Sequence, residues 1–100
     1  MVISEQIRAA RALIRWEQKD LALASGVSLP TIKRLETRPG LLNAHGPTLE
    51  ALKRALEEAG IQFIPEDENG GGPGVRLTHA LSDIRSKGGR PSDIGSGDGS

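Results

Sequence analysis

Side chains that can donate hydrogen bonds to an anionic or acceptor-rich partner gather between residues 18 and 38 of the 100-residue chain. Thr31 and Arg34 lie three residues apart there, and Lys33 stands between them. A guanidinium offers a fork of donors, an ammonium is a compact charge, and a hydroxyl both donates and accepts. These groups are suited to bind phosphates and other groups that accept hydrogen bonds.

Catalytic and metal-binding patterns are missing from the sequence. It contains no cysteine and no Ser-centred elbow, and His45 and His79 have no second ligand at metal spacing. The run Gly70 to Gly74 lacks the Gly-Lys-Ser/Thr ending and the following helix of a phosphate-binding loop, so a turn is the better interpretation. We therefore expect no enzymatic activity, no metal and no cofactor.

The elements that position the polar stretch are two short helices joined by a sharp turn, Gln18 to Ser25 and Ser28 to Glu36. Ala22 is small enough for the helices to cross closely, and Gly26 can adopt the positive φ that the turn requires. Ile32 and Leu35 form a stripe that faces the first helix. Ser28 is expected to cap the second helix by accepting from the Thr31 amide, with Pro30 tolerated in the first turn.

This arrangement resembles the helix-turn-helix of the Cro and phage-repressor family, the xenobiotic-response-element type of bacterial regulator, from about Ile7 to about Ile64. The resemblance implies that the first helix of the pair crosses the DNA backbone and the second enters the major groove. The residues that it would place against double-stranded DNA are Gln18, Lys19, Ser28, Leu29, Pro30, Thr31, Lys33, Arg34 and Arg38.

These residues would have different roles in a complex with DNA. Leu29 and Pro30 can cover thymine methyl groups but cannot hydrogen-bond to bases through their side chains. Hydrogen-bonded readout then falls mainly on Arg34, which can donate to guanine O6 and N7. Gln18 and Lys33 would meet phosphate, or for Gln18 a base at the edge of the site, and Arg38 would meet phosphate from the following loop.

Charge is unevenly distributed although the formal net charge is zero. Basic residues predominate from Arg8 to Arg38, whereas acidic residues predominate from Glu50 to Glu68. Arg8, Arg11 and Arg15 recur along the first helix and are expected to add positive charge beside the DNA backbone, unless they form an ordinary solvated face.

The remaining pattern predicts a mainly α protein with four to five helices, a short C-terminal β-hairpin and a disordered tail. The resemblance implies that the helices form a compact, lambda-repressor-like domain. Ser4 is expected to cap a first helix that ends near Ile14, and Trp16 to plug the core rather than stack on a base. After a loop from Thr37 to Gly46, Pro47 and Thr48 open a helix that Gly60 ends. Short extended runs at residues 61–64 and 75–77 suggest the hairpin.

Three regions follow: a DNA-binding domain at residues 1–65, an extended pair at 61–77 that could dimerise the chain, and a flexible tail at 78–100. An isolated hairpin is marginal in water, so its strands should pack on the helical core or on a second subunit, and we predict a homodimer. The expected function is a cytoplasmic, sequence-specific transcriptional regulator, bound to no membrane. The alternative is an antitoxin or adaptor that uses the same fold to bind protein.

Overall fold

Four helices and one antiparallel hairpin occupy the part of the chain that the computed structural model describes, residues 2–38 and 46–79. In chain order they are α1 (Ser4–Ile14), α2 (Gln18–Ser25), α3 (Leu29–Thr37), α4 (Gly46–Glu58), β1 (Ile61–Ile64) and β2 (Gly74–Leu77). The prediction of a mainly helical protein with a short hairpin is confirmed. The predictions for the loop at 39–45, which includes His45, and for the tail at 80–100 lie outside the described residues. No helix within the described ranges is long and apolar enough to cross a membrane.

One apolar core joins all four helices to β1. Its helical side chains come from the stripes that the helical period predicts, and each fully buried leucine or isoleucine contributes about 1.5–3 kcal/mol of transfer free energy. Trp16 packs half-buried against this core, as expected. The core consists of Ile7, Ala10, Ile14, Leu21, Ile32, Leu35, Leu52, Ala55, Leu56 and Ile61.

The beginning of α1 differs from the prediction. Ser4 is not the N-cap but the first residue of the helix, and the cap position belongs to Ile3. The Ser4 hydroxyl is buried and donates to the carbonyl of Glu36, 3.3 Å away, at the end of α3. The prediction was wrong because a local capping motif was assumed where the hydroxyl makes a long-range contact between helices.

The hairpin packs on the helical core of its own chain. Its strands pair with Ile61 opposite Leu77 and Ile64 opposite Gly74, and β2 contacts α1. Gln6 of α1, buried itself, donates through Nε2 to the carbonyls of Ile64 (3.3 Å) and Gly74 (2.9 Å). The sequence left two surfaces open for these strands, the helical core and a second subunit. In this structure the strands pack on the helical core of their own chain.

The turn between the strands is organised by Asp67. Its Oδ1 accepts from the amides of Asn69 at 2.9 Å and Gly71 at 2.7 Å, and its own amide donates to the Gly71 carbonyl. A Cβ at Gly71 would lie 2.6 Å from Asp67 Oδ2, so a side chain there would have to displace the Asp67 carboxylate. The Gly-rich run therefore forms a turn that leads into β2, as the sequence indicated.

Candidate nucleic-acid interface

The turn between α2 and α3 depends on the backbone conformation of one glycine. Gly26 has φ of +79°, and its amide donates to the Ala22 carbonyl at 2.9 Å, which closes the end of α2. A Cβ at Gly26 would meet nothing within 4 Å, so glycine is favoured by the positive φ and not by lack of space. Ala22 packs against the core beside this turn. The predicted positions of the two helices and the glycine turn between them are confirmed.

The first turn of α3 is fixed by Ser28, as predicted. The Ser28 Oγ accepts from the Thr31 amide at 3.3 Å, and the two hydroxyl oxygens lie 2.8 Å apart in a second hydrogen bond. Pro30 lies in the first turn, where its missing amide leaves no intrahelical bond unmade. Both hydroxyls therefore hold each other in place at the exposed end of the helix.

The inner and outer stripes of α3 are clearly separated. Ile32 and Leu35 are buried in the core, which fixes the rotation of the helix about its axis. The predicted contact residues lie on the rest of the surface: Ser28, Pro30, Lys33 and Arg34 are exposed, and Leu29 and Thr31 are half-buried. The structure thus leaves four of these six residues exposed and two partly accessible, and buries none of them.

Glu36 joins three helices from within the protein. Its carboxylate accepts from Arg11 Nη2 at 2.6 Å and Nε at 2.8 Å, and from Gln18 Nε2 at 3.0 Å. Arg11 also donates through Nη1 to the Trp16 carbonyl. The expectation that Arg11 adds positive charge beside DNA is wrong, because its guanidinium neutralises Glu36. This network was missed because its members lie 18 to 25 residues apart in the chain.

The two predicted contacts on α2 have different surroundings. Gln18 is half-buried and uses an amide hydrogen for Glu36, so its other amide hydrogen and its oxygen are what it can present to a partner. Lys19 is exposed, and its Nζ lies 3.8 Å from the carboxylate of Glu17. Contacts of both residues with DNA remain predictions.

Arg38 caps the C-terminal end of α3 in an extended conformation, and its side chain is exposed. It lies beyond the last turn of the helix, on the same chain segment as Lys33 and Arg34. Residues 39–45, which follow it, lie outside the described part of the chain. The predicted phosphate contact of Arg38 therefore rests on its position at the end of α3 and on its exposure.

Burial makes the N-terminal half more basic at its surface than its sequence suggests. Asp20 and Glu36 are buried, so two of the three carboxylates between Arg8 and Arg38 are removed from the surface. Glu17 remains exposed in this fully described stretch. The exposed cations that oppose it are Arg8, Arg15, Lys19, Lys33, Arg34 and Arg38. A cationic surface of this kind attracts polyanions and accelerates their encounter with the protein.

No protein-family model matches the chain, and no curated protein matches it significantly.

Proposed function

We propose that this protein is a sequence-specific DNA-binding transcriptional regulator that inserts α3 into the major groove. The observation that carries the proposal is the fixed orientation of α3: Ile32 and Leu35 anchor its inner stripe, and Lys33 and Arg34 are exposed on its outer surface. An α-helix with its side chains is narrow enough to enter the major groove of B-form DNA. The contact between α2 and α3 supports this proposal, in which α2 crosses the DNA backbone.

The chemistry of the outer surface suits a mixed readout. Arg34 can donate to both O6 and N7 of guanine, a contact that discriminates between bases by about 1–3 kcal/mol. Leu29 and Pro30 offer apolar contact to thymine methyl groups. Lys19, Lys33 and Arg38 supply charge for phosphates, which positions the protein without reading sequence. One hydrogen-bonding arginine per copy gives modest specificity.

Modest specificity per copy favours binding as a homodimer to an inverted repeat. Two copies related by a two-fold axis would read half-sites about 34 Å apart, one turn of B-form DNA. The hairpin already packs on α1 of its own chain. A dimer contact through residues 61–77 would therefore add to this packing and would not replace it.

Selection of bound fragments from random duplex DNA tests the proposal. The full chain is incubated with the pool at about 50 mM salt, where phosphate contacts are strong. We expect enrichment of an inverted repeat, and light scattering should show two protein copies for each duplex. Absence of enrichment, together with recovery of a stoichiometric protein partner from the source cells, would favour the antitoxin or adaptor role and overturn the proposal.

A further inference from the structure

The residue that ends α1 adopts an unusual backbone conformation. Arg15 has φ of +60° and ψ of +39°. In the described part of the chain, the other residues with positive φ are all glycines. Its amide donates to the Ala12 carbonyl at 3.2 Å, and the Trp16 amide donates to the Arg11 carbonyl at 2.8 Å. A Cβ is disfavoured in this left-handed region, and glycine or asparagine is the usual residue there.

Contacts within the described chain do not account for an arginine at this position. Its side chain is exposed and makes no ion pair or hydrogen bond with another described residue. The two other arginines of this helix differ from it: Arg8 lies 3.7 Å from Glu5, and Arg11 is bound to Glu36. Sparsely populated backbone conformations of non-glycine residues, held in place by the surrounding structure, are concentrated at functional sites.

The location of Arg15 suggests a function for its charge. Arg15 lies three residues before Gln18, the first residue of α2, and Trp16 and Glu17 lie between them. In the proposed function α2 crosses the DNA backbone, so the segment before it approaches phosphate. We propose that Arg15 binds a backbone phosphate of the DNA. This role explains why an arginine is present at a position where glycine would make the protein more stable. This inference rests on the proposed function.

Replacement of Arg15 by glycine separates a binding role from a structural one. Glycine adopts the observed φ and ψ without a Cβ penalty, so Arg15→Gly should raise the midpoint of thermal unfolding by a few degrees. The same variant loses one phosphate contact, and the slope of log affinity against log salt should fall by about 0.9. Affinity should drop about tenfold near 50 mM salt and about threefold near 200 mM, equally for all duplex sequences. Stability and binding then change in opposite directions.

Two matched variants complete the experiment. Arg15→Lys keeps the charge and the strained backbone, so its affinity should stay within about threefold of wild type. Arg54→Gln removes one charge from an exposed position on α4, outside the proposed DNA contacts and outside residues 61–77, and should leave the salt slope unchanged. If wild-type protein binds DNA and Arg15→Gly binds with the same affinity and salt slope, or loses no more affinity than Arg54→Gln, the inference is wrong. If wild-type protein binds no duplex at low salt, the proposed function itself fails.

Discussion

Arg11 of α1 and Glu36 of α3 form a bidentate ion pair in which both oxygens of the carboxylate are engaged, at 2.6 and 2.8 Å. The Glu36 side chain is 4 % exposed and that of Arg11 is 18 % exposed. Glu36 directly follows Leu35, so the pair links α1 to the last turn of α3, the helix that we propose enters the major groove. Its geometry fixes α3 at the end opposite to the Ser28 cap.

Removal of one partner of this pair should destabilise the protein strongly. Glu36→Leu leaves the Arg11 guanidinium without its carboxylate, and Arg11→Met leaves a buried carboxylate without its cation, each at a cost of about 3–5 kcal/mol in unfolding free energy. The double variant has no unpaired charge of the pair and should lose much less than the sum. Urea denaturation of the four proteins measures the coupling, and additive losses would show that the pair does not act as a unit.

The Gln6 side chain should be essential for the attachment of the hairpin. Its Oε1 accepts from the Ile3 amide at 3.0 Å while its Nε2 donates to both strands. Gln6→Leu keeps the volume but removes these partners, so we expect a loss of about 2–3 kcal/mol and faster hydrogen exchange at the β2 amides. Gln62→Leu, an exposed change on β1, is the control and should stay within about 0.5 kcal/mol. Equal effects of the two changes would contradict this role.

Two neighbouring glycines in the hairpin turn should respond differently to alanine. A Cβ at Gly71 would lie 2.6 Å from Asp67 Oδ2, whereas one at Gly72 would meet nothing within 4 Å. Gly71→Ala must displace the carboxylate that organises the turn, and we expect a loss of about 1–2 kcal/mol. Gly72→Ala should change stability by no more than about 0.5 kcal/mol. Thermal unfolding of both variants makes the comparison, and a tolerant Gly71 would mean that Asp67 does not organise the turn.

Local patterns predicted the helix pair correctly because each of its requirements lies within a few residues. The positive φ at Gly26, the Ser28 cap and the buried stripe of Ile32 and Leu35 depend on neighbours in the chain. The hairpin was also predictable, since a Gly-rich segment separates two short extended runs.

Polar contacts between distant segments could not be predicted in the same way. The long-range partners of Ser4, Gln6 and Arg11 lie 25 to 68 residues away, and helical periodicity shows which stripe is buried without showing which polar groups meet. The same limit applies to charge, because counting carboxylates along the chain does not reveal that Asp20 and Glu36 are buried.

Arg34 and Lys33 should affect DNA binding in different ways although they are neighbours on α3 and are both exposed. If Arg34 donates to a guanine, Arg34→Ala should relax base preference at one position of each half-site by about 1–3 kcal/mol. Lys33→Ala and Arg38→Ala should instead weaken binding to all sequences alike, and each should lower the salt slope by about 1. Titration of the selected site and of its single-base variants at several salt concentrations separates the two effects. Unchanged binding of all three variants would show that the outer surface of α3 is not the surface that contacts DNA, whatever the affinity of the wild-type protein.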